Sequence, residues 1–193
     1  MLKAGITGGI GSGKTVVCRL FEVLGISVFY ADDAGKWLTD HDPVLIDAIK
    51  EIFGEDIYTP AGLNRKRVGE IVFTHPDKLQ LLNDVVHPAT IRYAGEWMQQ
   101  QTTHYAIKEA AIFFESGSNQ AMDVMIGVSA PLETRIERVM QRSNLTREEV
   151  LLRISRQMNE EEKMGLCDYV IYNDGEKALI PQVLELHQLL LAR

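Results

Sequence analysis

GGIGSGKT, from Gly8 to Thr15, fits GxxxxGK(S/T), the pattern of a loop that wraps the phosphates of a nucleoside triphosphate. Its surroundings are those the pattern requires. An apolar run, Leu2 to Thr7, reads as a buried strand before it, and VVCRLFEVLG, Val16 to Gly25, follows with helical spacing and a glycine stop. Glycine suits this loop because the chain must pass close to phosphate oxygens with its N–H groups turned inward, where a side chain would stand in the way. The succeeding helix adds the positive end of its dipole. The nucleotide is therefore expected on Gly9, Ile10, Gly11, Ser12 and Gly13, and onward through Lys14, Thr15 and Val16. Within that stretch Lys14 is expected to act as a point charge on the β and γ phosphates, and the Thr15 hydroxyl as a ligand to Mg²⁺. Composition alone produces the bare pattern in roughly one chain of this length in a hundred. Requiring the strand before it and the helix after it makes the coincidence rarer still.

Outward from the loop, strand-like runs recur at Leu2 to Thr7, Ser27 to Tyr30, Tyr105 to Glu109, Asp123 to Ser129 and Tyr169 to Tyr172, separated by helical segments. This alternation predicts an α/β fold with a parallel sheet and crossover helices. The stretch from Asp33 to Thr103 carries no strand signal, only turn signals at Asp42-Pro43 and Thr59-Pro60-Ala61-Gly62 and helical patterns near Leu45 to Phe53, Asn64 to Phe73 and Lys78 to Gln101. It is too long for a simple crossover and reads as an inserted helical lobe. A second insertion follows Arg142: Thr146 and Glu149 form a capping box that opens a helix through Met158, and a polar run, Asn159 to Lys163, closes it. The expected organisation is one kinase-like domain, with a core of 1–32 and 104–193, an insertion at 33–103 and a lid at 143–163. A last helix is expected from Glu176 to about Leu191.

The chain has 193 residues and a formal net charge of -7, which argues against general nucleic-acid binding. Positive charge is instead local: six of the 20 Lys and Arg residues are arginines between Arg135 and Arg156. On a helix from Pro131 to Arg142, Arg135, Arg138 and Arg142 share a face and Glu133 and Glu137 lie opposite, so the face suits either an anion or plain solvation. Cys18 and Cys167 stand far apart and read as reduced thiols, neither of them a good nucleophile candidate. Lys14 and Arg19 break any apolar stretch that would make a leader, and no segment approaches a membrane span, so the expected location is cytoplasmic, away from membranes.

A phosphate loop does not by itself separate kinases from GTPases, motors and nucleotide switches. No NKxD signature is present, and DDAG, Asp32 to Gly35, meets only the short DxxG pattern. A motor ATPase would show an apolar strand ending in Asp, for which the closest candidate, AIFFE, ends in Glu115. Asp32 follows the second strand at the carboxyl edge of the sheet, where ligands of open α/β folds bind. There a carboxylate can orient an attacking hydroxyl and accept its proton late in a loose transition state. The alternative makes Asp32 the N-cap of a helix from Ala34 to Leu38.

GITGGIGSGKT at Gly5 to Thr15, YADD at Tyr30 to Asp33, His87-Pro88, AAIFFES at Ala110 to Ser116, MQR at Met140 to Arg142, RISRQM at Arg153 to Met158 and CDYVIYNDG at Cys167 to Gly175 together resemble the dephospho-CoA kinases in order and spacing. The resemblance spans essentially the whole chain. It implies transfer of the ATP γ-phosphoryl to the ribose 3'-hydroxyl of dephospho-CoA. It also implies a P-loop NTPase of the nucleoside-monophosphate-kinase-like type, a three-layer sandwich with a helical substrate lobe and a lid. Carried onto this chain, it assigns the phosphate loop to ATP, Asp32 to the second Asp of a DxD-like element that serves the reaction, and lid-side phosphate contacts to Arg142, with Arg138 beside it. His87 is either a substrate contact or a packed residue beside a helix proline, Asn173 either an adenine neighbour or a turn residue, and Arg65 either a diphosphate contact or part of a solvated helix start. Tyr30, Ala111 and Cys167 depart from the family's usual Asp, Pro and Ala. The expected partner is the small molecule dephospho-CoA, with the chain a monomer or weak homo-oligomer. The alternatives are a kinase of another small hydroxyl compound, such as a nucleoside or sugar acid, and an ATP-dependent switch protein.

Overall fold

The computed structural model describes all 193 residues. From the amino end the elements are β1 (Leu2–Thr7), α1 (Lys14–Val23), β2 (Val28–Tyr30), α2 (Ala31–His41) and α3 (Pro43–Phe53). A short hairpin, β3 (Tyr58–Thr59) and β4 (Gly62–Leu63), leads to α4 (Arg65–Thr74) and α5 (Pro76–Gln99). Then come β5 (Tyr105–Glu109), β6 (Val124–Ser129), α6 (Leu132–Ser143), α7 (Arg147–Ile154), α8 (Glu160–Gly165), β7 (Tyr169–Tyr172) and α9 (Leu179–Leu191). The chain forms two compact units, residues 1–30 with 98–193, and residues 31–97.

The first unit is built on one parallel sheet in the order β2-β5-β1-β6-β7. β1 is the central strand, with Ile6 in register with Glu109 of β5 and with Ile126 of β6. Alternate residues of the strands, including Ala4, Ile6, Tyr105, Ile107, Ile126 and Val128, face one layer made by Val17, Cys18 and Phe21 of α1 and Val183, Leu186 and Leu190 of α9. Period two in the strands and a helical stripe in α1 and α9 are thus the same core seen from its two sides. Phe21 meets Tyr105 edge to face, with ring centroids 6.3 Å apart, and truncating such a fully buried ring costs about 3–5 kcal/mol. The Tyr105 hydroxyl shares a 2.7 Å hydrogen bond with His187 Nδ1, so the one polar atom of that ring is satisfied. On the opposite face, the Met164 sulfur of α8 fills the space that a Cβ on Gly127 of β6 would need. Helices on both sides of a parallel sheet complete the three layers.

The second unit, 31–97, has its own core of Leu38, Leu45, Ile49, Phe53, Ile57, Val68 and Ala89. Its helices begin as their sequences direct: Asp42 Oδ1 accepts from the Val44 and Leu45 amides with Pro43 at the first position of α3, and Asn64 caps α4 by accepting from Arg67 N–H at 3.1 Å. The hairpin at Tyr58–Leu63 corrects the expectation of a lobe without strands. The Thr59 to Gly62 turn lets two residues pair on each side, and Asp40 Oδ1 accepts from the Leu63 amide at 2.9 Å. Gly62 has φ 103°, and a Cβ there would lie 2.6 Å from that same Asp40 oxygen. Two further boundaries differ from the sequence reading. α2 starts at Ala31, so Asp32 lies inside its first turn, where a carboxylate complements the helix dipole, and is not its N-cap. The polar run after Gln157 contains a helix, α8, capped by the Asn159 side chain and opened by Glu160, Glu161 and Glu162. No helix is long and apolar enough to cross a membrane.

Candidate active site

The phosphate-loop sequence leaves the carboxyl end of β1 and closes on itself through Ser12 N–H to Gly9 O at 3.1 Å, after which Gly13 O receives the Val16 and Val17 amides that start α1. Gly11 and Gly13 have φ of 82° and 95°, values that L side chains rarely adopt. Space makes the same demand: a Cβ on Gly11 would strike the Arg135 backbone, and one on Gly13 the Asn173 amide nitrogen. Ile10 turns its side chain onto the small apolar cluster of Ile136, Val139 and Val150, which ties the loop to α6 and α7. Lys14 Nζ folds back over the loop, donating to Gly8 O at 3.0 Å and lying 3.9 Å from the Glu109 carboxylate. Thr15 and Val16, one and two residues further, are exposed.

Around the loop the chain assembles side chains from three separate segments. From α6, Arg138 Nη2 donates to both the carbonyl and the Oδ1 of Asn173, at 3.2 and 3.4 Å. Asn173, in the loop after β7, in turn donates Nδ2 to Ser12 O at 2.8 Å. From the connection between α7 and α8 and the first residue of α8, Gln157 Oε1 accepts from Ile10 N–H at 2.9 Å and Glu160 Oε2 from Gly9 N–H at 3.1 Å. The same Glu160 oxygen receives Arg135 Nη1 at 3.3 Å. Four buried side-chain atoms in the molecule have no hydrogen-bond partner: Ser12 Oγ, Arg135 Nε, Arg138 Nη1 and Glu160 Oε1. Each belongs to the loop or to a side chain touching it. Buried polar groups are otherwise almost always satisfied, so this concentration marks a surface built to receive a polar ligand.

The three arginines expected on one face of α6 divide. Arg135 is buried against the loop, Arg138 is half-buried beside Asn173, and Arg142 is exposed at the last turn. Glu115 is corrected: AIFFE is a turn region after β5 and not a strand, and Glu115 binds Lys163 Nζ at 2.8 Å and the Met158 amide at 2.9 Å. Burial opposes ionisation of Glu115, but the Lys163 and Met158 hydrogen bonds outweigh it and hold the carboxyl below its ordinary range. The carboxylate that does end a strand next to β1 is Glu109, and sequence reading passed over it. Arg135 entered the sequence reading only as part of the arginine face, Gln157 only within RISRQM and Glu160 only within a polar run, and none of the three was assigned to the loop.

Asp32 is exposed in the first turn of α2, two residues past the end of β2. Within the 31–97 unit, His87 lies on α5 directly before Pro88, and its half-burial pulls its pKa down against the opposing pull of Asp84. Arg65 Nη2 donates to Lys36 O, Thr39 Oγ1 and Asp40 Oδ2, at 2.7, 3.0 and 2.7 Å. Burial pushes both thiols up, Cys167 to about 11, which leaves neither a ready nucleophile.

A family model described as dephospho-CoA kinase (CoaE) matches residues 2–178. The chain is 39% identical over 186 residues to the dephospho-CoA kinase of Bacteroides fragilis strain YCH46, covering 96% of this chain and 91% of that one. With its counterpart in Chlorobium chlorochromatii it shares 38% over 199 residues, 98% and 94% of the two chains. Among solved structures, TT1252 from Thermus thermophilus superposes with a TM-score of 0.83 at 32% identity over 99% and 96% of the chains. The dephospho-CoA kinase of Campylobacter jejuni gives 0.71 at 25% over 96% and 95%. A shikimate kinase from Bacteroides thetaiotaomicron, at 0.52 and 14% identity, shares the fold alone. A phosphate loop on the central strand of this parallel sheet, ringed by unsatisfied polar atoms, together with near full-length matches of this kind, shows that the chain belongs to the dephospho-CoA kinase family.

Proposed function

We propose that this chain transfers the γ-phosphoryl of ATP to the 3'-hydroxyl of the ribose in dephospho-CoA. The observation that carries the proposal is the loop itself: Gly9 and Ile10 amides turned to the side-chain oxygens of Glu160 and Gln157, two glycines in conformations that other residues avoid, and Lys14 folded across them, in a chain whose family acts on that substrate. Loose phosphoryl transfer asks little covalent chemistry of a protein, so positioning and charge neutralisation supply the rate. Lys14 and the loop amides hold the β and γ phosphates, while Arg138 and Arg142, on the helix that follows β6, cover the charge between them. Asn173 holds the Ser12 carbonyl and Arg138 together, and in this reading borders the adenine.

Asp32 orients the attacking hydroxyl and takes its proton as the bond forms. The lobe at 33–103, through His87 and Arg65, receives the acceptor. The segment 143–163 closes over ATP and keeps water from the loosened phosphoryl. The residues that would hold Mg²⁺ beside the phosphates are Thr15, at the start of α1, and Glu109, whose carboxylate lies 3.9 Å from Lys14. Magnesium, when bound, neutralises oxygens of the polyphosphate. The test is incubation with ATP, Mg²⁺ and either dephospho-CoA or a panel of nucleosides and sugar acids, following ADP and the phosphorylated acceptor. One ADP per 3'-phosphorylated product, with dephospho-CoA alone, is expected. ATP hydrolysis without acceptor phosphorylation would favour a switch protein.

A further inference from the structure

We propose that Arg135 is a phosphate-binding residue of this chain and that Glu160 is its resting counter-ion, an internal carboxylate that holds the anion position at the Gly9 amide until a polyphosphate replaces it. The inference rests on the reading of the loop as the ATP site. Its first support is convergence: a single oxygen, Glu160 Oε2, accepts from a loop amide at 3.1 Å and from a guanidinium at 3.3 Å. An amide and an arginine meeting on one charged oxygen is how proteins hold phosphate. Gly9 permits that convergence, because a Cβ there would collide with Arg135 Nη1 and lie 2.6 Å from the Glu160 oxygen.

The second support is that carboxylate and site fit poorly. The Arg135 side chain is 6% exposed and that of Glu160 19%, yet Arg135 Nε and Glu160 Oε1 have no partner. A bidentate carboxylate would engage both ends of the fork, and this one engages a single nitrogen. A phosphate group, with three terminal oxygens, can take the Gly9 amide on one oxygen and the paired Nη1 and Nη2 hydrogens on the others. Buried ion pairs with unused hydrogen-bonding capacity contribute little net stability, so exchange for a better-matched anion is favourable.

The third support is room. A cavity of about 330 Å³ is lined by Leu132, Arg135, Ile154, Gln157, Met158 and Glu160 among others. Gln157, which caps the neighbouring Ile10 amide from the connection between α7 and α8, and Glu160, the first residue of α8, both line that cavity. Nucleotide entry and withdrawal of this connection are then one event.

Calorimetric titration of the intact chain with MgATP, with inorganic triphosphate and with adenosine tests the proposal, using E160Q, E160A, R135Q and R135Q/E160Q after their melting curves confirm folding. Removing the competing charge in E160Q or E160A is expected to tighten MgATP and triphosphate binding by about tenfold and leave adenosine unchanged. R135Q is expected to weaken both polyphosphates, and the double variant to remain weaker than E160Q. Unchanged polyphosphate affinity in both Glu160 variants would overturn the displacement. A double variant equal to E160Q would show that Arg135 only serves Glu160. If the unaltered chain takes up adenosine but no polyphosphate, the ATP-site reading fails and this inference with it, whereas normal uptake with indifferent variants sinks this inference alone.

Discussion

The phosphate-loop neighbourhood and the helical unit at 31–97 satisfy their polar groups in opposite ways. In the helical unit no buried side-chain atom lacks a partner: Asp40 takes the Leu63 amide and Arg65, Arg65 also takes Thr39 and Lys36, and Tyr58 donates to Thr39 O at 2.7 Å. Around the loop, four such atoms go without. The helical unit has settled these hydrogen bonds locally, while the loop keeps donors and acceptors in reserve at the place where a polyphosphate is proposed to arrive.

Substitutions of the residues proposed to act on the transferred phosphoryl or the attacking hydroxyl should lower turnover most, and those confined to helix caps and structural ion pairs should lower stability only. Lys14→Ala is expected to reduce kcat with ATP and dephospho-CoA by on the order of 10³-fold or more, since it deletes a preorganised charge on the transferred group. Asp32→Asn is expected to lower kcat by about 10²- to 10⁴-fold with little change in ATP affinity measured by titration. Should ATP binding collapse instead, the assignment of Asp32 to the acceptor hydroxyl is wrong.

Glu115→Gln leaves the fully buried Lys163 facing a neutral partner and is expected to cost about 2–3 kcal/mol in urea unfolding, at the low end for a broken buried pair because Glu115 keeps some solvent. Its pH dependence has a definite sign. A carboxyl depressed below 4.5 in the folded state contributes stability that is fully present above that value and lost as pH falls through the folded one. The unaltered chain should therefore lose more stability than Glu115→Gln when acidified below about pH 4.5. Asp42→Ala removes the α3 cap and is expected to cost about 1 kcal/mol without affecting turnover. A large kinetic effect there would break the division between scaffold and site.

The strands and the loop were legible because each is a short-range signal: apolar runs bounded by turns, and a glycine pattern between a strand and a helix. What escaped notice depends on distant chain. The end of β5 at Glu109 was legible, but its place 3.9 Å from Lys14 was not, because the pairing of β5 with β1 that brings Glu109 to the loop joins segments about a hundred residues apart. α8 hides in a polar run because its stability comes from the Asn159 cap, an acidic first turn and the burial of Met164 and Lys163, of which only the first two are local. Arg135 and Arg142 read alike on a helical wheel, and only the docking of α6 against the loop buries one and exposes the other. Asp32 was placed correctly after β2, but its helix starts at Ala31 with no intervening turn to announce it.

Asn173 donates to a carbonyl 161 residues earlier, and the other side-chain partners of the loop, Gln157 and Glu160, lie 147 and 151 residues beyond it. A growing polypeptide therefore carries the glycine pattern from its first moments on the ribosome but completes the pocket among its final steps, when β7 joins the sheet edge. Truncations ending before that strand would keep the signature and lose the shape, which couples the onset of nucleotide recognition to the end of synthesis.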